Sequence, residues 1–372
     1  MKKLGIVGAG NAACISALGQ YYNNKIERNI LEEIEIYYDP SIPIERVGQG
    51  TNLFFPRYLF RLLGINFYHP QNPIKATFKS GILYENWGKK YDKHFHPFHM
   101  DMMSIHYVPE LLSKTILECG LFKVTEKNIK DPEKEIDADF IIDCRGRNNI
   151  DKNLYRKIIN PLNSVILSKK MERDYELNYS RCVATPHGWT FVIPNHDSVS
   201  YGYLYNNTIT SKEDAEKDFI DRFDVIPDGY LNFENYIAKN IFQGERTVLN
   251  GNRLFFLEPM ESNSAYFYDS VSSLAGVVTP SDKPKANSII QREAEKIQNF
   301  IMWHYAKGSK YETPFWDYAI RLSKNTFDKD EEFKRLLEVI RSLSKTQKLK
   351  GDFGPSHWNQ WSGYNIENWD NV

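Results

Sequence analysis

The sequence has no excess of charge of either sign. Its 47 Lys and Arg stand against 48 Asp and Glu, a formal net charge of −1. That balance gives no electrostatic reason to expect a nucleic-acid partner, and no acidic tail is visible. Cysteine is scarce: Cys14, Cys119, Cys144 and Cys182 are scattered and no Cys-x-x-Cys occurs. The spacing reads as reduced thiols of a cytoplasmic protein, not as a disulfide framework. His94, His96 and His99 cluster in "KHFHPFH", but no cysteine pair or carboxylate recurs at ligand spacing nearby, so no metal is expected. No apolar run approaches the ~18–20 residues of a membrane span. The apolar stretch in "MKKLGIVGAG" is too short and glycine-broken for a signal peptide and makes better sense as a first strand. There is no G-x-S-x-G, which argues against a serine hydrolase, and no internal repeat or low-complexity segment.

What is present is length enough for a large core and an unusual supply of rings. The 372 residues include 23 Tyr and 22 Phe, which pack cores and also wall planar ligands. Leu4–Val7, the helical "GAGNAACISALGQYY" and a strand over 34–38 make a βαβ opening. Gly8-Ala9-Gly10-Asn11-Ala12-Ala13 is G-x-G-x-x-A between that strand and that helix. The first glycine makes the turn, the second lets a pyrophosphate approach the backbone, and the small Ala13 lets helix and strand pack. Asp39 is the nearest carboxylate for a ribose hydroxyl, with Tyr38 competing for the position. The run "ADFIIDCRGR" (138–147) reads as a later strand returning to the nucleotide. These features alone leave FAD and NAD open.

Further strand-like runs fall at 79–86, 182–194 and 198–205, and helical periodicity marks 284–306 and 331–343. The chain therefore begins α/β, becomes β-rich and ends helical. No clean linker divides it. The expected organisation is an interleaved region over 1–280 and a mainly helical region over 281–372.

Several short stretches together resemble the flavin-dependent halogenases, the family that includes the tryptophan halogenases. "PHGWTFVIP" (186–194) matches the family's W-x-W-x-I-P at Trp189, Ile193 and Pro194, with Phe191 in place of the second tryptophan. "VGQGTN" (47–52) resembles the flavin-covering loop through Val47, Gly48, Gly50 and Thr51, with Gln49 where glutamate is typical. "FLEPMES" (256–262), with Leu257 and Pro259, resembles the segment that carries a catalytic Glu-Ser pair, here Glu261 and Ser262. The family continues Thr-Gly; here Asn263 and Ser264 follow, at the position of the halide site. "FHPF" (95–98) resembles a substrate-contacting segment, which makes His96 and Phe98 ring-stacking walls, and Trp358 and Trp316 are further wall candidates. Lys79, inside "KATFKSGILYENW", falls where the family places its essential lysine.

The resemblance implies an FAD-binding, Rossmann-like α/β fold of the flavin monooxygenase type, with an interleaved substrate sheet and a helical C-terminal part. It implies that reduced FAD, oxygen and chloride or bromide make hypohalous acid, which Lys79 directs onto an indole- or phenol-like substrate. With one G-x-G motif only, reduced FAD would come from a separate NADH-dependent flavin reductase. The resemblance allows a homodimer. A flavin hydroxylase and a non-catalytic flavin-binding protein are the alternatives; Lys79 with Glu261 argues against both.

Overall fold

Strand Lys2–Val7 is the axis of a six-stranded sheet. It pairs in parallel with Leu31–Tyr38 on one side and Phe140–Asp143 on the other. Lys123–Glu126 and Thr247–Leu249 extend the sheet outward in parallel, and Phe242–Gln243 closes one edge antiparallel. The last four residues of Lys2–Val7 are buried, as expected where both faces of a parallel sheet are covered. Helix Asn11–Gln20 is buried along nearly its whole length because its side chains are small, and it packs on helix Asn263–Ser272. The structure is a computed structural model. It describes residues 2–45, 47–51, 55–89, 92–98, 104–147, 150–172, 178–275, 277–331, 334–335 and 338.

A second sheet has seven strands, in the order Gly229–Asn232, Ser164–Lys170, Val199–Tyr205, Gly188–Pro194, Ser180–Thr185, Gly81–Glu85 and Lys93–Pro97. All pairs are antiparallel except Ser180–Thr185 beside Gly81–Glu85. The single run expected over 182–194 is a hairpin, because Thr185 pairs with Gly188 around a tight turn at Pro186 and His187. A small antiparallel sheet of Gln49–Gly50, Ile105–Tyr107 and Thr77–Phe78 lies where the flavin-loop residues meet the lysine segment.

The two large sheets are interleaved in sequence. Residues 2–38, 123–143 and 242–249 supply the first, and residues 81–97 and 164–232 the second. Helix Lys283–Ala306 realises the expected periodicity, with Ile290, Ala294, Ile297 and Ile301 all buried, and Pro314–Phe327 packs against it. The periodic residues Phe333, Leu336, Leu337 and Ile340 lie outside the described residues, as do Trp358 and His99. Among the described residues, no helix is long and apolar enough to cross a membrane, and no three His, Cys, Asp or Glu gather as a metal site.

Candidate active site

A cleft of about 550 Å³ opens at the carboxyl ends of Lys2–Val7, Leu31–Tyr38 and Phe140–Asp143. Gly8, Gly10, Asn11, Ala12 and Asp39 line it, joined by Glu45, Arg145 and Arg253. The two glycines do different work. Gly8 has φ 120°, and a Cβ there would lie 2.8 Å from the Cys144 carbonyl oxygen; the fold itself requires glycine. A Cβ at Gly10 would meet nothing within 4 Å. Helix Asn11–Gln20 starts at Gly10 with no side-chain cap, so an anion resting there would meet backbone alone. The open space and the missing cap fit the pyrophosphate of a dinucleotide. Ala13 is buried behind the rim, as its packing role requires.

Charged groups around the cleft are fixed in place. Hydrogen bonds from Ser41 and Asn128 hold the Asp39 carboxyl below the usual carboxylate range. Tyr38 instead donates to Glu126, at 2.8 Å. Fully buried Asp143 grips Arg145 through both oxygens, at 2.9 and 2.7 Å, a fork-to-fork geometry that sets the guanidinium plane.

The lysine lies at the other end of the loop. Gly50, which packs beside the lysine, follows the cleft-lining Glu45 by five residues, so those two backbone positions are at most about 18 Å apart. Lys79 is 1% exposed. Its backbone N–H donates to Ser104 before the strand Gly81–Glu85 begins, and its ammonium donates to Ser262 Oγ at 2.8 Å. The Phe98 ring centroid lies 5.3 Å from Nζ. Burial pushes the pKa of Lys79 down to about 8 against the opposing pull of Glu261 and Cys182. A Cβ on Gly50 would stand 2.8 Å from Ser262 Oγ and 3.0 Å from Lys79 Nζ, so a side chain at this loop position would crowd the lysine and its serine.

Glu261 and Ser262 are consecutive non-glycine residues in left-handed backbone, with φ 65° and 55°, each costing about 1–3 kcal/mol. Their side chains offset that cost. Glu261 accepts from Tyr84 and faces His304 Nε2 at 3.1 Å. Ser262 stands at the N-cap of helix Asn263–Ser272, yet its hydroxyl accepts from Lys79 and does not cap the helix. The start of this helix, at Asn263 and Ser264, is therefore left without a side-chain cap next to the lysine. Asn263 is buried and donates to the Met260 carbonyl at 3.0 Å.

His96 is buried and meets Phe98 edge-on at 5.9 Å, so Phe98 faces the lysine and His96 backs it. Trp316 is a core residue, its indole donating to the Thr185 carbonyl at 2.8 Å. Val47, Gly48, Gln49, Gly50, Thr51, Trp189, Ile193, Pro194, Leu257 and Pro259 do not border the cleft. Gly48 donates to Ser200 at 3.0 Å and Thr51 to Ile105 at 2.8 Å, which pins the loop to both smaller and larger sheets. Phe191 lies opposite Gly202 in the neighbouring strand, its ring filling the space where a Cβ would be.

Four functional neighbours escaped sequence reasoning: Tyr84, Glu258, His304 and Tyr305. Glu258, buried at 1% exposure, accepts from Trp189 and Tyr305 at 2.7 Å each and from Asn160 at 2.5 Å. Burial raises its pKa to about 7. The signal for the helix pair was available: the stripe Ile290, Ala294, Ile297, Ile301 continues at helical spacing into His304 and Tyr305.

Comparison with known proteins bears on this geometry. The tryptophan halogenase family model matches residues 3–112 and 122–369. Tryptophan 7-halogenase RebH of Lentzea aerocolonigenes is 23% identical over 253 residues, which cover 62% of this chain and 47% of RebH. Tryptophan 6-halogenase ThaL of Streptomyces albogriseolus is 24% identical over 251 residues, covering 61% and 47%. The chain thus spans about half the length of the curated relatives it matches. Among solved structures, the flavin-dependent halogenase Xcc4156 from Xanthomonas campestris superposes with TM-score 0.78 at 19% identity, covering 96% of this chain and 87% of that one. BrvH, a flavin-dependent halogenase from Brevundimonas sp. BAL3, gives TM-score 0.78 at 17% identity, with 98% and 90% covered. These likenesses establish the fold expected from the sequence, and the family match over most of its length establishes that the chain belongs to the tryptophan halogenase family.

Proposed function

We propose that the protein is a flavin-dependent halogenase that places chlorine or bromine on a small aromatic substrate. The observation that carries this reading is a lysine fully removed from water, beside a serine, a carboxylate and a ring, at the far end of the loop that leaves the nucleotide cleft. FAD would lie in the cleft with its pyrophosphate at Gly10–Ala12, its ribose toward Asp39 and residues 47–51 over its flavin end. Reduced FAD, when bound, supplies electrons with which oxygen converts halide to hypohalous acid. The uncapped start of helix Asn263–Ser272 favours a halide there through its dipole and free N–H groups.

Lys79 then holds the hypohalous acid. Its ammonium donates to the oxygen and makes the halogen more electrophilic, while Ser262 fixes the direction of Nζ. With a pKa of about 8, roughly a tenth of the side chain is neutral at pH 7, so an amine that carries the halogen covalently is also within reach. Glu261 stabilises the cationic ring or takes its proton. Phe98, backed by His96, walls the substrate. Trp189 donates to Glu258, which ties the strand Gly188–Pro194 to the 256–262 segment. A separate NADH-dependent flavin reductase would supply reduced FAD.

The test is incubation with reduced FAD, oxygen, equal chloride and bromide, and a panel of indoles and phenols, read by mass spectrometry. Halogen isotope patterns in a product support the reading. Hydroxylated product without halogen would replace it with the hydroxylase alternative.

A further inference from the structure

His106 sits midway along the strand Ile105–Tyr107 and is fully buried. That strand is the centre of the small sheet. His106 pairs with Gly50 of the loop on one side and with Thr77, two residues before Lys79, on the other. Lys79 donates its own backbone N–H to Ser104, at the other end of the same ladder, at 2.8 Å. Where the lysine stands against Gly50 and Ser262 therefore depends on how this strand is held.

The His106 side chain holds it, and its protons can be assigned. Thr77 Oγ1 lies 2.8 Å from the Pro194 carbonyl oxygen. A carbonyl only accepts, so the hydroxyl hydrogen of Thr77 is spent there. Thr77 Oγ1 also lies 3.2 Å from His106 Nδ1, which must then be the donor. Burial, with the charge of Lys79 adding to it, holds the pKa of His106 well below its ordinary value. The ring is neutral, so Nε2 is bare and accepts from the Ser180 hydroxyl at 2.8 Å. The hydrogen bonds run one way, from Ser180 to His106 to Thr77 to Pro194. They join the small sheet to two strands of the large one, Ser180–Thr185 and Gly188–Pro194. The run ends on a carbonyl, which cannot pass a proton on. It fixes positions and moves no charge.

We propose that His106 is a positioning residue for halogen transfer: through Thr77 it locks the segment that carries Lys79 onto the seven-stranded sheet, and so sets where the ammonium stands between Gly50 and Ser262. The inference rests on the halogenase reading above. Lys79 has little room to spare, since even a Cβ on Gly50 would lie 3.0 Å from Nζ. A displacement of about 1 Å where a reagent must be held toward a ring carbon can cost roughly 10²-fold. Releasing the segment should therefore separate making hypohalous acid from using it.

Two variants test this. His106→Phe keeps the bulk of a ring and removes both bonds, and His106→Asn keeps a donor where Nδ1 stood and loses only the bond to Ser180. Each is compared with the parent protein under reduced FAD, oxygen and bromide. Indole is the arene in one reaction, and a chromogenic β-diketone traps free hypohalous acid in another. The ratio of halogenated indole to trapped acid does not depend on how much protein is folded. It should fall roughly 10²-fold in His106→Phe and recover most of the way in His106→Asn. Nitrogen NMR of lysine-labelled protein gives a second readout without turnover. The Lys79 resonance, identified by its loss in Lys79→Met, should titrate higher in His106→Phe than in the parent, because the ammonium is freer to reach water. A merely structural role lowers both products in proportion and leaves the ratio and the Lys79 titration where they were, which overturns the proposal. So does His106→Asn behaving as His106→Phe, because the bond to Thr77 then carries nothing. If the parent traps no hypohalous acid, the halogenase reading falls and this one with it; if it traps acid and His106→Phe keeps the parent's ratio, this one falls alone. Should His106→Phe fail to fold, Thr77→Val cuts the same link from its other end: a lowered ratio supports the proposal, and the parent's ratio overturns it.

Discussion

The loop that begins at Glu45 has one end on an open cleft and the other packed against a buried lysine, and the two ends solve opposite problems. At the cleft the protein provides room: Gly10 leaves space unfilled and the helix it starts is uncapped. At the pocket it removes room, with Gly50 pressed against Ser262 and Lys79. A change in the cleft should alter what binds and leave the fold alone. A change in the pocket should alter chemistry and stability together, because a buried charge is held there by its neighbours.

The largest effect expected is at Lys79. Lys79→Ala should abolish halogenated product, a loss of roughly 10²–10⁴-fold or more, while FAD binding and oxygen uptake from reduced flavin persist. Lys79→Arg should fail equally, since its guanidinium is longer, stays protonated and would press on Gly50. Product and oxygen measured side by side check this, and halogenation by either variant would erase the distinction between the two ends. Gly10→Val is the converse. It should weaken FAD by at least about tenfold, or 1.4 kcal/mol, with folding stability within about ±0.5 kcal/mol; a flavin titration and a urea melt on the same sample decide. An equally tight Gly10→Val protein would move the pyrophosphate elsewhere.

Stability changes belong to the buried side. Glu258→Leu leaves the donors of Trp189, Tyr305 and Asn160 without an acceptor and should cost about 3–6 kcal/mol in urea unfolding. Glu258→Gln, which can still accept from both rings, should cost about 1 kcal/mol. The remaining effect is a pH dependence. Lys79 has a lower pKa folded, about 8, than its ordinary value of 10.5, so the unfolded chain holds that proton more firmly. The resulting penalty on folding is full below pH 8 and vanishes as pH rises toward 10.5. Lys79→Met should therefore be more stable than the parent by about 3 kcal/mol near pH 7, with the gap closing by pH 10.5. A constant gap would mean the lysine is not desolvated.

The cleft was legible in the sequence because its signal is local. Gly8, Gly10 and Asp39 follow from a turn, a helix start and a strand end within forty residues. Lys79, Glu261 and Ser262 were legible only through resemblance. Nothing in their own spacing, with Lys79 and Ser262 183 positions apart, says that they touch. The partners of the two glutamates were not legible at all. His304 and Tyr305 read as the end of an apolar stripe, and only the packing of that helix on the 258–261 segment turns two ring-bearing core residues into hydrogen-bond partners of carboxylates. The left-handed pair at 261–262 was equally silent, because neither residue is of a type that prefers that conformation.

The interleaving of the two sheets has a consequence for how the chain is made. Lys2–Val7 leaves the ribosome well before its neighbour Phe140–Asp143 and the strand beyond, Thr247–Leu249. More than 240 residues separate Val7 from Leu249, which at 5–20 residues per second is a wait of between about 12 and 50 s. Until Phe140–Asp143 emerges, a little over halfway through that wait, the edge of Lys2–Val7 that will meet it has no native partner; the hairpin Ser180–Thr185 and Gly188–Pro194 can then close before Thr247–Leu249 is made. The seven-stranded sheet beside Lys79 should thus be partly formed before the six-stranded sheet is complete, and the nascent Lys2–Val7 strand is the segment with most need of a chaperone.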